Sequence, residues 1–126
     1  MTVTQAIGYK LLNTAAITAY VSTRIHHGEI PEGEITYPAI NYFMIDNLSQ
    51  MQTTMYRSRM QISVRATTPE SCWNIAYAVI DALRNIQEDI NGFQVQEVLY
   101  DNSLMNREED SIYHVPIDFL ITHRRN

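Results

Sequence analysis

Two stretches of the chain alternate between apolar and polar residues, and they limit the fold more than any other feature. In the first, Met60, Ile62, Val64 and Ala66 alternate with Arg59, Gln61, Ser63 and Arg65. In the second, Tyr113, Val115, Ile117, Phe119 and Ile121 alternate with the residues between them. Successive side chains of a strand point to opposite faces, so each run predicts a strand with one buried and one wet face. Pro116 falls on the wet face of the second run. It cannot donate to a ladder, which predicts an open edge or a bulge there.

The cover for such a sheet is legible in "TTPESCWNIAYAVIDALRNI". Thr68 caps this helix, Pro69 takes its first position, and Glu70 complements the dipole. Cys72, Ile75, Ala76, Val79, Leu83 and Ile86 recur at helical spacing and predict the buried face. Trp73, Tyr77 and Ile80 lie on a shoulder, which predicts contact with a second neighbour. Val3 to Val21 reads as a further helix in two pieces, broken at Asn13-Thr14, with Thr14 capping the second piece.

The remaining segments are strands and connections. Gly28, Pro31 and Gly33 predict a bend into the strand "YPAINYFMI". "DNLSQMQTTM", Asp46 to Met55, reads as a long polar loop, and Asn91-Gly92 leads into the strand "FQVQEVLY". "DNSLMNREEDS" reads as an acidic loop. The order is helix, two strands, helix, two strands. It predicts an α+β fold: a mostly antiparallel four-stranded sheet with two main helices packed on one face.

At 126 residues the chain fits a single domain, residues 1–126. The net charge of −5 argues against electrostatic gripping of nucleic acid. Cys72 is the sole cysteine, so no disulfide can form within the chain. No signal peptide is expected from the N-terminal pattern, and nothing approaches the ~18 apolar residues of a membrane span.

Signs of chemistry are sparse. His26 and His27 are adjacent, so an extended chain points them to opposite sides, and no ligand spacing supports a metal site. His114 and Asp118 share a strand face but lie ~13 Å apart at ~3.3 Å per residue. There is no nucleophile elbow, Walker loop or dinucleotide fingerprint. No enzyme, cofactor or metal is expected. A small metal-dependent hydrolase or ligand-binding domain using His26, His27 or Glu29 is the alternative.

Taken in order, several segments resemble one family. "AAITAYVSTRIHHGEIPEGEITYPAINYF" is similar to tail-completion, or tail-terminator, proteins of long-tailed bacteriophages. Arg24-Ile25, the bend from Gly28 to Pro31, and Tyr37-Pro38-Ala39-Ile40 carry the likeness. "MQISVRATTPESCWNIAYAVIDAL" resembles the family's second strand and following helix, and "SIYHVPIDFLITH" its closing strand. Thr14 stands where the family often carries Asp.

The resemblance implies a structural virion protein, assembled in the host cytoplasm. It would form a hexameric ring of its own copies at the head-proximal end of the tail tube, ending tube polymerisation and joining tail to head. An adaptor or stopper ring of the neck is the variant within that class. Implied partners are the tail-tube protein and the head connector, with genome DNA passing through unbound and no membrane. On this reading Asp46, Met51, Met55, Tyr56 and Arg57 form a contact loop for the tube or a neighbouring subunit. Trp73, Tyr77 and Ile80 then form a subunit interface, and Glu108, Glu109 and Asp110 face the channel.

Overall fold

A computed structural model describes residues 2–28, 36–49, 55–109 and 112–124. Among these residues three helices and seven strands follow in the order α1 (Val3–Leu12), α2 (Ala15–Val21), β1 (Ile25–His27), β2 (Ala39–Ser49), β3 (Met55–Ala66), α3 (Pro69–Leu83), β4 (Glu88–Ile90), β5 (Phe93–Ser103), β6 (Asn106–Glu109) and β7 (Ile112–Arg124). The four long strands are the expected ones, and they pair antiparallel in the order β2-β3-β7-β5. The expectation of four strands is corrected to seven. β1 and β4 add to the two edges, and β6 pairs with β7. β1 lies parallel to β2, so the sheet is mixed. These additions run only three or four residues each, too short to show a period.

The apolar positions of both alternating runs point one way. Met60, Ile62 and Val64 on β3 and Val115, Ile117, Phe119 and Ile121 on β7 are fully buried. They pack in one cluster with Ile7 and Leu11 of α1, Ile17 and Val21 of α2, and Cys72, Ile75, Val79 and Leu83 of α3. All three helices therefore cover the same sheet face. α3 lies over β3 and β7, whereas α1 touches β1 and β2 near one edge and β4 at the other. A single helix can reach both edges only if the sheet curls around it. Lys10 of α1 and Glu88 of β4 close that curl with an ion pair of 2.8 Å.

Local chemistry sets the helix ends. Thr2 and Gln5 form a reciprocal capping box at α1, a signal that the sequence reading overlooked. The Thr68 hydroxyl accepts from the Ser71 N–H at 3.2 Å, as expected of a cap. Thr14 does sit at the start of α2, but its hydroxyl donates backwards to the Lys10 carbonyl at 2.7 Å. It satisfies the end of α1 instead of capping α2.

Gly8 lets α1 settle directly on β2. A Cβ at that position would lie 2.8 Å from Cζ of Tyr42, inside van der Waals contact, and nearer still to its hydroxyl. Tyr42 is buried and stacks on His27 with ring centroids 5.4 Å apart. Gly28 has φ +83°, a conformation that glycine takes without strain, and starts the bend whose residues 29–35 lie outside the described chain. The Tyr37-Pro38 peptide before β2 is cis.

Two loop expectations fail for one reason: polar segments become strands where a neighbouring strand supplies their main-chain hydrogen bonds. Asp46 to Ser49 continue β2, and Met55 to Arg57 belong to β3, paired from Asp46 with Arg59 to Ser49 with Tyr56. The connection is therefore residues 50–54, not the ten expected, and an ordinary hairpin length. Similarly, Asp101 to Ser103 end β5, and Asn106 to Glu109 form β6. Pro116 is not on an edge strand, since β7 runs between β3 and β5. The ladder is nonetheless interrupted beside it: β5 pairs as far as Ile117, and β6 resumes only at His114.

Candidate assembly surfaces

The helix-free face of the sheet is polar and built on β3. Arg57, Arg59, Gln61, Ser63 and Arg65 lie along it, opposite Thr122, Leu120, Asp118, Pro116 and His114 of β7. Arg59 Nη1 meets Asp101 Oδ2 at 2.7 Å. Both partners are well exposed, so this pair contributes little to stability. Arg65 donates to Oδ1 of Asn41, whose amide nitrogen donates to the Gly28 carbonyl at 2.8 Å. The row thus ties β3 to β2 and to the start of the bend. Asp118 sits among these charges. Burial raises its carboxyl above the usual range, Arg59 opposes that, and Asp101 adds to it.

Behind the opposite face lies a buried polar pair that sequence reasoning missed. Ser58 Oγ and His123 Nε2 are 2.7 Å apart, and His123 Nδ1 lies 2.9 Å from the Arg124 carbonyl. A carbonyl can only accept, so Nδ1 carries the proton and Nε2 receives the serine hydroxyl. Tyr56 and Phe93 flank the imidazole, with centroids 6.0 and 5.2 Å away. Burial holds His123 below its ordinary pKa, partly offset by its bond to Arg124. Ser58 is fully buried and His123 nearly so, which closes this pair to any substrate. The pair satisfies polar atoms within the core. The only sequence signal was that both residues occupy inward positions of alternating strands.

The helix side offers a groove of about 450 Å³ between α2 and α3, lined by Thr14, Ala16, Tyr20, Asn74, Tyr77 and Asp81 among others. Of the expected shoulder, Tyr77 is 57% exposed and stacks on the half-buried Trp73 with centroids 5.5 Å apart. Ile80 of that shoulder differs from Tyr77 in burial. It is 5% exposed and belongs to the core. Cys72 is also core. Its thiol lies 3.3 Å from the Val64 carbonyl, and burial pushes its pKa up to about 11.

The other expected site residues are spread over the sheet. Met55, Tyr56 and Arg57 open β3, and Arg57 Nε is buried without a hydrogen-bond partner among the described residues. Asp46 lies in β2 opposite Arg59, and Met51 lies outside the described residues. Glu108 and Glu109 belong to β6, and Asp110 lies outside the described residues. His26 and His27 are neighbours on β1, and no group of three metal-binding side chains forms among the described residues.

A curled sheet with helices on one face and a charged open face defines a domain whose visible features are surfaces for contact. Residues 5–124 match the family described as Tail completion protein gp17. The chain belongs to that family and is a structural protein of the bacteriophage virion tail. Its fold resembles a chain in the solved virion of a native gene transfer agent particle, with a TM-score of 0.80 at 16% identity. That alignment covers 98% of this chain and 95% of the other. A second solved chain aligns with a TM-score of 0.61 at 11% identity, again over 98% of this chain and 95% of its own. No curated protein matches the sequence.

Proposed function

We propose that the protein caps the head-proximal end of the tail tube as a hexameric ring, ends tube polymerisation and joins the tail to the head. The family match over almost the whole chain is the observation that carries this reading. The mechanism is geometric: one rim of the ring complements the last layer of the tube, and the other cannot seed a further layer. The end of the β2–β3 hairpin, where Met55 opens β3, reaches towards the tube, and Met51 is expected to add to this contact. Methionine is adaptable enough to fill an irregular partner surface. Tyr77 and Trp73 present aromatic area on the helix side, where a neighbouring structural protein fits. The acidic segment Glu108, Glu109 and Asp110 lies near the channel, where negative charge keeps the genome's phosphates moving.

Removing the protein tests the reading. Particles that lack it should give tails of uncontrolled length and heads without tails, and adding it back should restore joined particles. A reconstruction of the complete particle should place this chain at the upper end of the tail with six-fold symmetry. Density at a higher level of the neck would make it an adaptor or stopper ring, and a different symmetry would overturn the hexamer.

A further inference from the structure

The two outer long strands of the sheet overrun their edge partners. Among the described residues β1 pairs with β2 at Ile40, Asn41 and Tyr42, although β2 continues to Ser49. β4 pairs with β5 only from Phe93 to Val95, although β5 continues to Ser103. Main-chain bonds show which groups point outward. The Ile40 N–H donates to the Arg24 carbonyl, and the Gly28 N–H donates to the Tyr42 carbonyl. By the alternation of a strand, Met44 faces the same edge. On the other side, the Asn85 N–H donates to the Val98 carbonyl, so Val98 faces away from β7, and so does Tyr100 two residues on.

These open groups terminate a single row of the sheet. Met44 pairs with Met60, Met60 with Phe119, and Phe119 with Tyr100. Both ends of the row therefore present main-chain N–H and C=O groups without a bonded partner among the described residues. Three exposed apolar side chains lie at these two places, Met44 at 40%, Ile45 at 48% and Leu99 at 40%, while others lie on the helices and after β5. Neither Phe43–Leu48 nor Leu99–Ser103 contains a lysine or a proline, the residues that commonly blunt an edge against pairing.

Three successive antiparallel pairings make β2 and β5 run in opposite directions. When copies continue the sheet edge to edge, β2 of one therefore meets β5 of the next in the antiparallel sense that the long strands already use. We infer that β2 of one copy pairs with β5 of the next, so that a second copy of this chain occupies each edge. The contact is head to tail, and such an interface generates a closed ring when its rotation closes. This inference rests on the ring reading above and specifies how the copies join.

Two variants test it. Met44→Pro removes an outward N–H that has no partner among the described residues, so the monomer should keep its melting temperature. Incorporation at tail ends, followed by electron microscopy and native mass spectrometry, should fall at least tenfold. Separately, Ile45→Cys is combined in one chain with Leu99→Cys or with Asp101→Cys, and assemblies formed on tails are oxidised. At least one combination should give a ladder of covalent multimers, while each single-cysteine chain gives none. Covalent dimers from Ile45→Cys alone would show symmetric β2–β2 pairing and overturn the inference. So would a folded Met44→Pro protein that caps tails normally, or a ring that yields no ladder with either combination. Wild-type protein that ends tails without forming any ring would instead overturn the ring reading, and the edge pairing with it.

Discussion

Gly8→Ala is the most exacting test of how α1 is seated on the sheet. In an exposed helix interior, this change stabilises by about 0.8–1 kcal/mol, because alanine has less backbone freedom to lose. Here the new methyl would meet the Tyr42 ring, with Cζ 2.8 Å away and the hydroxyl nearer still. The ring cannot swing aside freely, since it is 9% exposed and stacked on His27. Overpacking of this kind costs about 1–3 kcal/mol, so a net loss of about 1 kcal/mol is expected. That corresponds to a fall in Tm of roughly 3–5 °C for a domain of this size. Urea unfolding followed by circular dichroism should show it as a lower midpoint with an unchanged slope. In a Tyr42→Leu background the obstacle is gone, and Gly8→Ala should then stabilise by close to its full helix increment. The coupling between the two changes should therefore reach about 2 kcal/mol. Stabilisation by Gly8→Ala in the native background, or an equal effect in both, would refute the close approach.

Three further outcomes follow from the core. His123 is held below its unfolded value of about 6.5, so the unfolded chain takes up the proton first. Its contribution to stability is present above pH ~6.5 and is lost as the pH falls below that, so Tm should decline from pH 7.5 to 5.5, and less steeply in His123→Gln. Asp118 acts in the opposite sense, because its raised carboxyl loses stability as pH rises, but a carboxylate titrates mainly below this range. Ile80→Ala should cost about 2–5 kcal/mol by chemical denaturation, whereas Tyr77→Ala should stay within about 0.5 kcal/mol. Equal losses would contradict their different burial. Cys72, with its thiol pushed up to about 11, should resist a disulfide reagent at neutral pH until the protein unfolds. Rapid labelling of native protein would show that the helix face opens.

The parts of the fold legible in sequence are those governed by local periodicity. The runs at Met60–Ala66 and Tyr113–Ile121, and the stripe from Cys72 to Leu83, each bury a face decided by spacing alone, and the structure buries those faces. The cap at Thr68 and the break at Asn13-Thr14 are likewise local. The family likeness was legible too, because it rests on the order of segments and not on their packing.

What the sequence could not decide depends on neighbours distant along the chain. Asp46–Ser49 and Asn106–Glu109 look like loops because they are polar, yet each has a strand beside it whose hydrogen bonds make it sheet. β1 and β4 exist only because β2 and β5 offer them an edge. The curl that sends α1 across to β4 is a property of the whole sheet, and Ile80 is buried by neighbours that spacing along α3 does not name. Ser58 and His123 are 65 residues apart and meet only through the register of β3 with β7. Periodicity tells a residue which face it takes. Only the pairing of strands tells it what stands opposite, because a main-chain hydrogen bond carries no trace of its partner's position in the sequence.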